Sequence, residues 1–392
     1  MIARQASSVV VIGGGPGGYE AALVARRLGA QVTVVDSDGL GGSCVLTDCV
    51  PSKSLISTAH VVRRMSAATE HGVDISSLSA GTDLRAVNER ILALAAAQSA
   101  DITQRVTADG IRVCRGTGRL LSPSRVQVDF SDGGSEDLEA DVILVATGAT
   151  PRVMATARPD GERILTWTQI YALDRVPEKL VVVGSGVTGA ELAQAYLGLG
   201  SQVTLVSSRD QVLPGEDSDA AKVIEDVFKR EGMQVLSRSR MSAVERTSDG
   251  VLVRLEDGRT VEGSHALLAV GSVPNTRGIG LEPAGVLLGP GGHIQVDGVS
   301  RTSVRGVYAA GDCTGVFPLA SVAAMQGRIA MWHALGDAVT PLHLDVVSAN
   351  VFTDPEIANV GVTQKQVDSG EVQARVVTLP LATNARAKMD SI

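Results

Sequence analysis

Apolar and polar positions along the chain alternate between strand-like and helix-like stretches. A short apolar run, Val9 to Ile12, enters a glycine-rich turn at 13–18, followed by a helical stretch from Tyr19 to Leu28 and a second apolar run, Val32 to Val35. That is a β-turn-α-β unit. The same order returns with Leu180 to Val183, the turn 184–189, a helix from Ala190 to Leu199 and a strand from Val203 to Val206. Between the copies the pattern predicts a helix from Arg85 to Ala108. It also predicts strands near Ile111 to Cys114, Arg125 to Val128 and Val142 to Val145, the last running into Ala146-Thr147-Gly148. After the second copy come Val251 to Leu255, Thr260 to Glu262, and Ala266 to Val270 leading into Gly271-Ser272-Val273-Pro274-Asn275. A segment from Gly306 to Asp312 precedes a long apolar stretch, Leu319 to Leu335. Beyond Pro341 lie a strand-like run, Val346 to Phe352, then Pro355 and a short helix candidate, Thr363 to Asp368. The expected class is α/β: two Rossmann-like dinucleotide-binding domains plus an incomplete C-terminal α+β interface domain.

Composition narrows the function. With 392 residues, 44% of them hydrophobic and 20% charged, the chain can bury two or three substantial cores. A formal net charge of −8 with no basic run argues against a nucleic-acid partner and for small molecules. Met1 to Ser8 carries no apolar leader core and Val9 to Ile12 is far too short to span a bilayer, so a cytoplasmic protein is expected. The six histidines form no ligand-spaced set, and no metal is expected. Of four cysteines only Cys44 and Cys49 are close in sequence.

Gly13, Gly15 and Gly18 fit a dinucleotide fingerprint. The first permits the tight turn, the second lets backbone approach a pyrophosphate, and the third lets helix pack on strand. Asp36 follows the second strand, where an acid accepts hydrogen bonds from ribose hydroxyls. The second fingerprint, Gly184, Gly186 and Gly189, has Ser207 in the place of that acid, with Ser208 and Arg209 next. A guanidinium there can meet a 2′-phosphate, which favours NADPH without excluding NADH. Arg209 read alone is equally a solvated loop charge.

Cys44 and Cys49 lie in Gly41-Gly42-Ser43-Cys44-Val45-Leu46-Thr47-Asp48-Cys49-Val50-Pro51-Ser52-Lys53. Such a spacing covers about one and a half helical turns, so bridging the two requires the first cysteine at a helix start, where the dipole favours a thiolate. Taken alone, the two are also readable as buried hydrophobes or unpaired thiols.

With these motifs in order, the chain resembles the flavoprotein disulfide reductase family, which includes dihydrolipoyl dehydrogenase, glutathione reductase and mercuric reductase. The likeness runs from about residue 8 to residue 390. Beyond the fingerprints and the Cys44 to Lys53 motif it rests on Ala146-Thr147-Gly148, Gly271 with Pro274-Asn275, Gly311-Asp312 and Phe352-Thr353-Asp354-Pro355-Glu356. The resemblance implies FAD binding by 1–150 with 271–340, NAD(P) binding by 151–270, and a truncated dimerisation domain at 341–392. It implies Cys49 as the thiol against the flavin, Cys44 as the exchanging thiol, Lys53 near flavin N5 paired with Glu191, and Asp312 at the ribityl chain. Gly42, Thr147, Gly148, Gly271 and Gly311 join the cofactor-binding set on the same ground. A homodimer is what the full family fold implies.

Within the family the chain is most similar to actinobacterial-type NAD(P)H-quinone dehydrogenases, on Asp48-Cys49-Val50-Pro51-Ser52-Lys53, Ile164-Leu165-Thr166-Trp167 and Leu319-Ala320-Ser321-Val322-Ala323-Ala324-Met325-Gln326-Gly327-Arg328. The expected activity is hydride transfer from NAD(P)H through FAD to an acceptor, with a quinone first. A dihydrolipoyl-dehydrogenase-type exchange is the alternative, and a non-catalytic flavin-binding interaction protein a third. Cys44 favours exchange. Asp48, replacing the small residue usual before the flavin-side cysteine, disfavours its thiolate. Ser207 favours the quinone reading, as does the lack of any histidine after His343 to act as the dithiol's base. Ser272 stands where many relatives have arginine.

Overall fold

The computed structural model describes residues 6–74 and 81–389; residues 1–5 of the Met1 to Ser8 segment lie outside the described residues. The chain folds as two compact units, each gathered from three stretches. Met1–Leu55, Arg85–Arg152 and Gly271–His343 form the first, and Ile56–Leu84, Val153–Val270 and Leu344–Ile392 form the second.

The first unit is built on a seven-stranded sheet in the order Val307–Ala309, Val142–Val145, Ser8–Ile12, Gln31–Asp36, Arg112–Ser122, Arg125–Phe130, Ser135–Glu139. The first five strands are parallel and the last two return antiparallel. Val142–Val145 is buried at every position, as a parallel strand covered on both faces must be. Arg112–Ser122 alternates exposed and buried residues and is far longer than the short run expected near Ile111 to Cys114. The helix Pro16–Arg27 begins three residues ahead of Tyr19, because Pro16 occupies the first helical position, where its missing N–H has no partner to lose. It packs on the helix Ala320–Ala334 so closely that a Cβ on Gly327 would stand 2.0 Å from the Gly17 carbonyl oxygen. Val9, Val11, Ala21, Ala25, Val34, Leu144, Ala330 and Met331 join the core between this helix pair and the sheet.

The second unit holds a five-stranded parallel sheet in the order Gln234–Leu236, Gln202–Val206, Lys179–Val183, His265–Leu268, Ile164–Thr166. An antiparallel set, Met241–Arg246, Val251–Leu255 and Thr260–Gly263, packs on it through Val244, Val251, Val253 and Leu255. The helix Ser218–Arg230 buries Ala221, Ile224, Val227 and Phe228, a helix-period stripe. Only Ser348–Val351 of the run expected at Val346 to Phe352 is strand, paired with Ile357–Val360. Thr363 caps Gln364–Asp368 in a capping box with Gln366.

The segment after Val351 is tied to the helix Val187–Gly198. Glu191 Oε1 accepts the Phe352 N–H at 2.9 Å, Gln194 Oε1 accepts the Asp354 N–H at 2.7 Å, and Gln194 Nε2 donates to the Asp354 carbonyl at 2.8 Å. Arg63 is ion-paired with Glu231 and with Asp354. No helix among the described residues is long and apolar enough to cross a membrane.

Candidate active site

The first fingerprint turn leaves the strand Ser8–Ile12 at Gly13, whose φ of 102° is open to glycine alone without strain. Its N–H donates to the Val35 carbonyl at 2.8 Å, and a Cβ there would lie 2.2 Å from the Ala146 oxygen. A Cβ on Gly18 would lie 1.9 Å from the Gly13 oxygen, whereas Gly15 faces open space. The helix starts at Gly15 with no side-chain cap, so its first-turn N–H groups and dipole are presented to an anion. Asp36 closes the mouth: Oδ2 accepts the Gly14 N–H at 2.6 Å, and Oδ1 accepts the N–H groups of Asp38 and Gly39 at 2.9 and 2.7 Å.

Thr147 and Gly148 are braced by Asn275. The Asn275 Nδ2 donates to the Thr147 carbonyl at 2.9 Å, the Thr147 hydroxyl donates to the Asn275 carbonyl at 2.7 Å, and the Asn275 N–H reaches the Gly148 carbonyl at 3.0 Å. Gly311 donates its N–H to the buried Gln326 Oε1 at 2.8 Å and turns the chain into Asp312–Thr314. Burial pushes the Asp312 carboxyl above the usual range, opposed by the nearby His293. This open turn, bare helix terminus and recessed carboxylate fit a dinucleotide. Asn275, Gln326 and His293 were not among the residues assigned from sequence; Asn275 and Gln326 stand inside the motif runs and could have been read from them.

The cysteine segment sits on this turn. Gly41 donates its N–H to the Gly14 carbonyl at 2.8 Å, and a Cβ on Gly42 would lie 2.8 Å from the Gly15 Cα. The expectation that Cys44 opens a helix shared with Cys49 is corrected. Cys44 lies inside the short helix Gly42–Leu46, and Cys49 is the residue that opens the long helix Cys49–Ser66. The break comes at Thr47-Asp48, whose N–H groups both return to the Ser43 carbonyl, at 3.0 and 2.8 Å, while the Asp48 carbonyl receives the Ser52 N–H at 2.8 Å. That kink brings together two side chains that a continuous helix would splay. The two cysteines are not bridged and are half-buried, and a hydrogen bond between their thiols is the main influence on both. This bond draws the Cys44 thiol below its ordinary value and holds the proton on Cys49, whose thiol is raised. Burial and the Asp48 carboxylate raise both, and Lys53, on the same helix, lowers both. Tyr19, absent from the sequence-assigned set, lies within the electrostatic reach of Cys44, and burial together with Glu20 and Cys44 keeps its phenol protonated.

The second fingerprint repeats the first. Gly184 has φ 109°, donates to the Val206 carbonyl at 2.9 Å and would set a Cβ 2.1 Å from the Ala269 oxygen. A Cβ on Gly189 would lie 1.9 Å from the Gly184 oxygen, and Gly186 is open. Ser207 holds the place of Asp36, since Val206 pairs with Val183 as Val35 pairs with Ile12. Its side chain, however, is fully buried. The Ser207 Oγ lies 2.7 Å from Ser185 Oγ and accepts the Arg209 N–H at 3.1 Å, so it supports the loop, and Arg209 is the exposed group. Glu191 is buried, with one oxygen on the Phe352 N–H. Gly271, φ 91°, is exposed, and its carbonyl accepts the Arg152 N–H at 2.9 Å. The Arg152 guanidinium donates to the Ser272 carbonyl at 3.0 Å, so an arginine from a neighbouring strand end reaches the Ser272 position.

The family model for pyridine nucleotide-disulphide oxidoreductases matches residues 7–327, and that for their dimerisation domain matches residues 347–391. An NAD(P)H dehydrogenase (quinone) of Mycobacterium tuberculosis is 54% identical over 393 residues, covering 98% of this chain and 80% of that protein. A dihydrolipoyl dehydrogenase of Zymomonas mobilis is 33% identical over 384 residues, covering 97% and 82%. The crystal structure of LpdA from Mycobacterium tuberculosis superposes with a TM-score of 0.94 at 53% identity, covering 98% of this chain and 85% of that one. The chain belongs to the pyridine nucleotide-disulphide oxidoreductase family and is a flavoprotein oxidoreductase that uses FAD and NAD(P)H.

Proposed function

We propose that this enzyme oxidises NADPH in preference to NADH and delivers the electrons to a quinone, as a cytoplasmic homodimer. In this reading Gly13, Gly15, Gly18, Asp36, Gly42, Thr147, Gly148, Gly311 and Asp312 hold FAD in the first unit. Gly184, Gly186, Gly189 and Arg209 hold the nucleotide in the second, with Ser207 as a support for Arg209 and Gly271 bordering the cofactors. Residues 341–392 form the dimer contact. Bound FAD would supply the two-electron chemistry that links NADPH to the acceptor. Lys53 provides a fixed positive charge where negative charge develops.

The observation that carries the quinone reading is at Cys49, the thiol assigned to the flavin side: its hydrogen bond with Cys44, burial and the Asp48 carboxylate all hold the proton on it, and a protonated thiol is a poor nucleophile. A quinone needs no thiolate, since it accepts electrons and protons directly. The similarity to a relative named as an NAD(P)H dehydrogenase (quinone) points the same way. The lowered Cys44 thiol supports a second reading, dithiol exchange, in which Cys44 attacks a disulfide substrate. Anaerobic reduction of the FAD-loaded protein by NADPH, followed by either a benzoquinone or lipoamide, separates the two. Rapid return of the oxidised flavin spectrum is expected with benzoquinone; rapid return only with lipoamide would overturn the reading.

A further inference from the structure

We infer that Arg238 recognises the 2′-phosphate of the pyridine nucleotide beside Arg209. The inference rests on the NADPH reading above and adds a residue that no fingerprint contains. Arg238 follows the strand Gln234–Leu236, which runs parallel to Gln202–Val206 with Val206 opposite Leu236. The two loops therefore leave the same carboxyl-terminal edge of the sheet, where open parallel sheets bind their ligands. They are stitched together: the Arg238 N–H donates to the Arg209 carbonyl at 2.8 Å, and the Ser239 N–H to the Ser207 carbonyl at 2.7 Å. Ser207 Oγ in turn accepts the Arg209 N–H. Both arginines are thus mounted on one frame.

The backbone at Arg238 lies in the left-handed region. Its φ is 53°, one of three positive values at non-glycine positions among the described residues. Glycine would sit there without strain, whereas a long side chain has to justify its conformational cost by what it does. The side chain is 79% exposed and its Nε lies 2.8 Å from Asp210 Oδ1, in a pair as exposed as itself. Such a pair is weak and screened, so a phosphate dianion, which an arginine can grip with two parallel hydrogen bonds, displaces Asp210. The neighbouring carboxylate holds the guanidinium in reach of the rim until the ligand arrives.

The test is calorimetric titration of the FAD-loaded protein with 2′,5′-ADP and, as reference ligand in every variant, 5′-AMP. In the wild type 2′,5′-ADP is expected to bind at least about tenfold more tightly, and Arg238→Gly to lower that ratio by about tenfold or more, as loss of a charge-assisted contact does. Glycine suits the positive φ, so this variant keeps the loop. Arg238→Lys should retain part of the preference, and Asp210→Asn should raise it only while Arg238 is present. A wild-type ratio near one would sink the NADPH reading and this inference with it. A high wild-type ratio that survives Arg238→Gly would overturn the role of Arg238 alone.

Discussion

Asp48 stands next to Cys49 and acts on both members of the dithiol. Its carboxylate raises each thiol, in the same direction as burial, against the lowering by Lys53. Asp48→Asn should therefore let the first thiolate form at lower pH. Alkylation of the reduced protein by iodoacetamide is expected to rise about threefold to tenfold at pH 7, with its pH midpoint moved down. An unmoved midpoint would mean that the bond between the two thiols, burial and Lys53 set them without Asp48. This effect was legible in sequence because it needs only adjacency and sign. The position of Cys44 was not, since the Thr47-Asp48 break is made by backbone bonds to the Ser43 carbonyl, and nothing in the residue types signals them. Ser207 shows the same limit. Its place after the strand was readable, but its burial and its bond to Ser185 Oγ were not.

The two fingerprint turns repeat the same glycine contacts with one coupled difference. In the first, Asp36 reaches back to the Gly14 N–H, and a Cβ on Gly14 would lie 3.1 Å from that carboxylate oxygen and 2.4 Å from Leu40. In the second, Ser185 takes the Gly14 place and its hydroxyl bonds to Ser207. An acid and a glycine form one matched set, two serines the other. Ser207→Glu alone is expected to crowd Ser185, lowering the melting temperature while shifting nucleotide preference only weakly. Ser185→Gly with Ser207→Glu should recover stability and raise the NADH to NADPH ratio of kcat/KM by about tenfold or more, through ribose hydrogen bonds and phosphate repulsion. Equal shifts from the single and double variants, without loss of melting temperature, would refute the coupling. Elements of this kind were legible because apolar runs and glycines recur together. The helix Ser218–Arg230 also carries a readable stripe, Ala221, Ile224, Val227 and Phe228, that the reading from sequence did not use. Ser135–Glu139 was hidden by its polarity, since an edge strand reading Ser-Glu-Asp-Leu-Glu has a single apolar residue and no apolar run to announce it.

Across the whole molecule, each unit carries one dinucleotide fingerprint, and the cysteine pair is seated on the first of them. The order of these parts was plain in the sequence. Which route electrons take out was not, because it depends on protonation and exposure rather than on motif content. The cysteine segment is joined to the first fingerprint turn through Gly41 and Gly42, so its presence is explained by the packing of that turn as readily as by turnover. Cys44→Ser tests which of these holds. Serine keeps the size and a hydroxyl donor while removing the redox chemistry, so the seat of the loop on Gly14 and Gly15 is preserved. If a quinone takes its electrons from the flavin, steady-state oxidation of NADPH with benzoquinone should keep at least about half its wild-type kcat. Turnover with lipoamide should fall by about a hundredfold or more, since an exchange reaction without its attacking thiol has no path. Loss of both activities in a variant that still carries one FAD per chain would place the dithiol on the obligatory route.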